Sequence, residues 1–249
     1  MSVLHEHLRA VVGDFIEAHP PAPSPSPRDV LQVLGIVLVA AAVLVCNRYL
    51  MLPLSVVLAA QAGSVAAEPQ PILWALLVAV GYVLPPLIYC WWALPCVRSA
   101  LGLIRPRLWE ALRLWLCAGV VLAPVLAVLT ALPSFQASYP MAGGNSGDPW
   151  SLALWMLAYG LQFVGLEVFF RGFLLLALRR VLGLWGLGVM VLPYTMLHFQ
   201  KPPLEALGSV FFGLMLGILA LRTRSVIEGV GVHLVVAYSL ELLALQWLV

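Results

Sequence analysis

The sequence predicts an all-α protein, a polytopic transmembrane helix bundle of about seven or eight spans. Three observations lead there. Of the 249 residues, 63% are hydrophobic and only 10% are charged, with a mean hydropathy of +1.01; soluble domains are about 45–50% apolar and about 25% charged. The charges are also segregated: the first 29 residues hold six of the 24 acidic and basic side chains. Finally, apolar runs of about 20 residues recur, the length that a helix needs to cross a bilayer. This composition excludes a soluble enzyme and a disordered chain. A net charge of +2 without a dense basic face also excludes a nucleic-acid binder.

Taken in order, residues 1–19 place Val3, Leu4, Leu8, Val11, Val12, Phe15 and Ile16 at helical spacing. This is an amphipathic helix too polar to span, expected on the membrane surface or against the bundle. No cleavable signal peptide is expected, because acids and histidines precede any apolar core. A stiff linker follows, Pro20-Pro21-Ala22-Pro23-Ser24-Pro25-Ser26-Pro27. The expected spans are 30–46, 71–95, 109–135, 151–178, 182–200, 204–221 and 225–248. Residues 52–67 contain Pro53, Gln61 and Gly63 and read equally as an eighth span or a surface hairpin. Three units result: 1–29 (amphipathic helix and linker), 30–135 (N-terminal transmembrane helices) and 150–249 (a second helix set).

Basic residues orient the chain. Arg98, Arg105, Arg107 and Arg113 cluster around one loop, Arg179 and Arg180 mark another, and Arg222 and Arg224 a third. With seven spans all three loops share one side, the cytoplasm, and the opposite loops carry Arg48 and Lys201. The N-terminus is cytoplasmic only if 52–67 does not span. The expected location is an inner cell membrane, multi-pass. Cys46, Cys90, Cys96 and Cys117 lie in or beside apolar runs; they read as buried small hydrophobes rather than a zinc site or disulfide framework.

A charge near the bilayer centre costs about 2.5–3.5 kcal/mol on insertion scales, so such residues default to a functional reading. Glu167 and Arg171 lie in the fourth span, His198 near one end of the fifth, and His233 and Glu241 in the last. Glu167 and Arg171 are four apart, on one helix face, which alone suits a structural ion pair. A carboxylate and two imidazoles on three helices can also hold a water, deprotonate it and stabilise an oxyanion. The same set can bind zinc, although no His-Glu-x-x-His is present; no cofactor is expected. An ion pathway would use these residue types too, but the repeated half-helices of transporters are not visible. Gly144-Asn145-Ser146-Gly147 matches a Gly-x-Ser-Gly serine-protease pattern but reads as a flexible loop. Gly208, Gly213 and Gly217 read as close helix packing.

The stretch Gly165-Leu166-Glu167-Val168-Phe169-Phe170-Arg171-Gly172, followed by Tyr194-x-x-x-His198 and then His233, resembles the CPBP family of intramembrane proteases. That group includes the type II CAAX prenyl endopeptidases and bacteriocin-processing or immunity proteins, and the resemblance covers roughly residues 150–245. The family pattern is Glu-Glu-x-x-x-Arg, aromatic-x-x-x-His and His-x-x-x-Asn. Here the first Glu is Leu166 and the Asn position is Ala237. The resemblance implies that 150–249 are catalytic helices of a peptide-bond hydrolase. Glu167, assisted by His198, activates a water; His233 stabilises the oxyanion or protonates the leaving amine. Arg171 supports Glu167, and Glu241 is a candidate replacement polar group. The implied substrate is a membrane protein or a lipidated or peptide precursor, met in the lipid bilayer. The two departures support an alternative, an inactive member that acts as a membrane binding or immunity protein. Geometry poses a difficulty: at about 1.5 Å per residue, Glu167, His198 and His233 lie roughly 18, 27 and 13 Å from their nearest basic loops. Straight helices do not bring these together, and Pro193 is the expected place for a kink.

Overall fold

The computed structural model describes residues 13–20, 24–61, 71–93, 101–141 and 148–247. Among them there is no strand. Eight helices carry the architecture: α1 (Pro27–Tyr49), α2 (Met51–Gln61), α3 (Pro71–Ala93), α4 (Leu108–Thr130), α5 (Pro149–Glu167, continued as a π-helix over Val168–Leu176), α6 (Trp185–Met196), α7 (Pro203–Thr223) and α8 (Ile227–Ala244). Among the described residues, six apolar stretches are long enough to cross a membrane, α1, α3, α4, α5 with its π extension, α7 and α8; α2 and α6 are the shorter apolar helices.

Local chemistry sets the helix starts. Ser26 and Asp29 form a capping box, with Ser26 N donating to Asp29 Oδ2 at 3.0 Å and Asp29 N to Ser26 Oγ at 3.2 Å. Pro27 then occupies the first helical turn, where its missing N–H costs nothing. Helix α1 therefore begins inside what reads as linker. Asp148 caps α5 by accepting from Ser151 N at 2.8 Å; that hydrogen bond holds its carboxyl below the usual range.

Two segments differ from their sequence reading. The 182–200 segment forms a helix only over α6, whose twelve residues reach about 18 Å, short of a hydrocarbon core of about 30 Å. A turn at Arg179–Leu182 and Gly183, whose φ of +53° is open to glycine, delay its start. Beyond Met196 the chain turns through 197–201 to Pro202. Helix α2, with eleven residues, is likewise too short to span; residues 62–67 lie outside the described part. The expected span 109–135 stops at Thr130, because Pro133 opens a separate turn, Pro133–Gln136.

Helix α5 is the hub. Half of its spanning window is buried, against 6% for α4, so α5 is central and α4 faces lipid on most sides. Every residue of the π segment is buried; Phe169, Phe170 and Phe173 pack with Tyr82, Met190 and Tyr194 in the largest apolar cluster. Helix α3 crosses α5 where Gly165 meets the Ala79 backbone. Helix α4 packs on α8, α6 on α7, and α1 on α3.

Ties at one end gather the basic residues. Arg180 pairs with Asp29 at 2.5 Å, Gln32 Nε2 donates to Ala93 O at 3.2 Å, and Val226 N donates to Gly102 O at 3.0 Å. The start of α1, the end of α3, the 101–107 loop and the ends of α5 and α7 thus share one end. Since α1 leaves that end and α3 returns to it, α2, which follows directly on α1, sits at the opposite end. Of the N-terminal amphipathic segment only its close is described: residues 13–17 are helical, and Phe15 packs on the bundle under the Arg222 guanidinium.

Smaller readings sort out similarly. Cys90 is buried, Cys46 half-buried and Cys117 exposed; Cys117 departs from the buried reading because it lies on lipid-facing α4. Cys96 and the Gly144–Gly147 motif fall outside the described residues. Gly213 and Gly217 pack on Tyr194 and on Leu187 and Met190, whereas Gly208 faces open space.

Candidate active site

Helix α5 supplies Glu167 and Arg171, α6 supplies Tyr194, the turn after it His198, and α8 His233. Glu167 and Arg171 are fully buried and His233 is 6% exposed. Glu167 Oε1 receives His233 Nδ1 at 2.8 Å and lies 3.0 Å from Arg171 Nη1. The structure therefore brings together three of the expected residues from two helices. A carboxylate oxygen only accepts, so His233 Nδ1 carries a proton and its Nε2 points away.

The remaining Glu167 oxygen, Oε2, has no hydrogen-bond partner among the described residues, and neither do the Arg171 nitrogens. The Arg171 charge is instead balanced by proximity: the 3.0 Å approach to Glu167 and a stack 4.2 Å over the Tyr194 ring. Oε2 faces Gly229, where a Cβ would sit 2.8 Å from it. Gly229 is thus required by close approach rather than by backbone conformation. Three aromatic rings fix the His233 imidazole: Phe163 at 4.5 Å, Phe212 at 5.4 Å and Tyr194 at 6.3 Å.

His198 is one ring away. Its imidazole packs 5.0 Å from Tyr194, the same ring that touches Arg171 and His233. Its Nδ1 donates to Tyr194 O at 3.0 Å, which leaves Nε2 as a lone-pair acceptor. Tyr194, not a direct hydrogen bond, links His198 to the Glu167–His233 pair.

The depth mismatch resolves because α6 begins late, at Trp185, and because the π-helix starts at Val168, directly after Glu167. A π-helix has a wider turn, which changes the register of α5 where the carboxylate must meet α8. Leu166, beside Glu167, is 7% exposed and packs in the main apolar cluster. Ala237, one turn past His233, packs against Trp155, Ala158 and Tyr159. Both departures from the family pattern therefore lie in dry packing.

Glu241 is placed elsewhere. It accepts from Met141 N at 2.8 Å and Trp155 Nε1 at 3.4 Å. Eight residues of helix separate it from His233 by about 12 Å, so it joins an outer polar cluster instead of replacing a motif group. Sequence reasoning missed Gly229, Phe163 and Phe212. Gly229 carried a usable signal, its position four residues before His233 and hence on the same face; Phe163 and Phe212 carried none, because apolar helices are full of aromatics.

A family model described as type II CAAX prenyl endopeptidase Rce1-like matches residues 148–239. The match begins at the Asp148 cap and includes Glu167, Arg171, Tyr194, His198, Gly229, His233 and Ala237, but stops short of Glu241. No curated protein and no solved structure matches the chain. Apolar helices long enough to cross a bilayer and a buried acid and imidazole in contact agree with this match: over residues 148–239 the chain is similar to the type II CAAX prenyl endopeptidase family.

Proposed function

We propose that the chain is an intramembrane endopeptidase that hydrolyses a peptide bond of a membrane-associated substrate. The observation that carries this is the Glu167 carboxylate: Oε1 is held by Arg171 and His233, while Oε2 is left as a buried acceptor beside Gly229. Oε2 takes a proton from a water whose other hydrogen is held by His198 Nε2. The water oxygen bonds to the substrate carbonyl carbon. His233 enters the step as an imidazolium against the Glu167 carboxylate; its Nε2–H faces the oxyanion and gives its proton to the leaving nitrogen as the C–N bond breaks, and the proton that Glu167 took from the water then passes to His233, which restores the charged pair. Arg171 fixes Glu167 and compensates its charge.

Water activation in this scheme needs no metal. A cation at Glu167 would have to oppose the charge of the guanidinium 3.0 Å from Oε1. The substrate class is a membrane protein, a peptide precursor or a lipidated protein; the family description adds a prenylated protein with a C-terminal Cys-aliphatic-aliphatic-X sequence.

A second reading has its own support. Leu166 and Ala237 sit in apolar clusters, which suits a member that keeps the fold as a membrane binding or immunity protein. Terminal peptide mapping of membrane proteomes from cells carrying wild-type and Glu167→Gln protein separates the two. Hydrolysis predicts new termini in the wild type alone, unchanged by a chelator. Identical termini in both strains sink the protease reading. Chelator-sensitive, zinc-restored cleavage sinks the metal-free mechanism.

A further inference from the structure

Outside the Glu167 site, the described residues hold a second polar cluster at the end opposite the arginines. Residues 131–141, which leave α4, fold over this end of the bundle, with Phe135 and Tyr139 almost fully buried. Tyr139 OH donates to both Glu205 oxygens, at 2.9 and 3.0 Å. Lys201 Nζ donates to the same hydroxyl at 3.3 Å and lies 4.6 Å over the Tyr139 ring. Met141 N donates to Glu241, and Trp155 and Tyr159 close the inner side. Burial pushes the Lys201 ammonium down from its ordinary value, while Glu205 and Glu241 pull it back up; burial raises the Tyr139 hydroxyl.

The cluster touches every element that carries a site histidine. Lys201 belongs to the His198 turn, its N donating to His198 O at 2.9 Å. Glu205 opens α7, whose Phe212 packs on His233, and Glu241 lies on α8 two turns beyond His233. The His198 turn has little support of its own. Pro193 and Pro202 flank it and remove backbone donors, Phe199 is 67% exposed, and its backbone bonds are single-turn contacts. The contacts of Lys201 are what anchor its far end.

We propose that Tyr139 is a positioning residue. Through Lys201 and Glu205 it clamps the turn that presents His198, so the 131–141 strap sets the geometry of a site it does not touch. This rests on the hydrolytic reading for its consequence, but not for its test. The geometry requires a hydroxyl that accepts from an ammonium and donates to a carboxylate. Tyr139→Phe removes both contacts while keeping the ring against Phe135 and under Lys201.

The experiment uses the full chain in lipid nanodiscs, with histidine labelled at Cε1 by carbon-13 and the two site signals assigned through His198→Gln and His233→Gln. In Tyr139→Phe the His198 signal is expected to shift and broaden while the His233 signal stays in place. Amides 197–201 should exchange about tenfold faster, and those around 229–233 at the wild-type rate. Lys201→Gln serves as the second variant should Tyr139→Phe fold poorly, with the same expected signature. Unchanged His198 signal and exchange in a folded variant overturn the clamp, as does uniform loosening of both histidines, which marks a merely structural tyrosine. Cleavage of a farnesylated Cys-aliphatic-aliphatic-X peptide, run in parallel, separates the two claims. A clamp effect on activity appears as a fall in kcat in Tyr139→Phe that is absent in the His198→Gln background, and an equal fall in that background overturns action through His198. A moved His198 signal without strain-dependent termini in the mapping experiment leaves the clamp standing and removes the protease.

Discussion

At the scale of single residues, Glu167 and Arg171 can stay charged inside an apolar helix only because each compensates the other. Breaking a buried pair from one side leaves an uncompensated charge and costs about 3–5 kcal/mol, whereas replacing both partners by neutral groups is often close to neutral. Arg171→Met is therefore expected to lower folded yield and thermal stability in detergent sharply, and Glu167→Gln/Arg171→Met to recover most of the loss while remaining inactive. A double variant as unstable as the single one would contradict this compensation. Gly229 tests the same carboxylate from the other side. A methyl group there must displace Oε2, which it meets at 2.8 Å, so Gly229→Ala should cut turnover by at least about tenfold for a stability cost of about 1–3 kcal/mol. Equal turnover in the two proteins would show that Oε2 is not the atom that takes the proton. Glu167, Arg171 and His233 were legible in the sequence because a charge in an apolar run stands out. Phe163 and Phe212 were not, since nothing in their local pattern differs from ordinary membrane packing, and Gly229 offered only its spacing of four residues from His233.

Among the elements, the π segment is the one on which the site depends. It places nine buried residues in the core and begins at the residue after Glu167. Gly172 lies within it, and a Cβ there would overlap the Leu101 backbone oxygen. Backbone cannot yield as a side chain can, so Gly172→Ala should destabilise by about 1–3 kcal/mol, read as a lowered Tm in detergent. It should also loosen the 101–107 loop, which is docked on Val226 as well. A Tm equal to wild type would show that the loop does not pack there. The π turn left no signature in the residue pattern: over nine residues that are apolar apart from Arg171 and Gly172, its period cannot be told from that of an α-helix. Helix α6 shows the converse. Its apolar run is long enough to suggest a span, but Gly183 and the Pro193–Pro202 interval shorten the helix at both ends.

For the whole molecule, contacts at one end collect Arg105, Arg107, Arg179, Arg180, Arg222 and Arg224, and the excess of basic residues makes the cytoplasmic side the expected location of that end. In a variant lacking its native cysteines, Arg107→Cys should resist a membrane-impermeant thiol reagent in intact cells, and Trp150→Cys, 81% exposed in the native chain, should react. The reverse pattern would invert the orientation. The same arrangement settles how the first half of the bundle runs. With α2 too short to cross, α1 and α3 form an antiparallel pair, and the start of α1 shares the arginine end.

The sequence by itself determined that this is an α-helical membrane protein and which ionisable groups are out of place in lipid, because composition, run length and a solitary charge are local properties that need no partner to be read. Only the tertiary structure decided that Glu167 meets His233 directly, that His198 reaches them through Tyr194, and that Glu241 belongs to a separate outer cluster. Those outcomes depend on where helices start, how far a widened turn rotates them and which faces they bury. Such quantities arise from contacts between segments far apart in the chain.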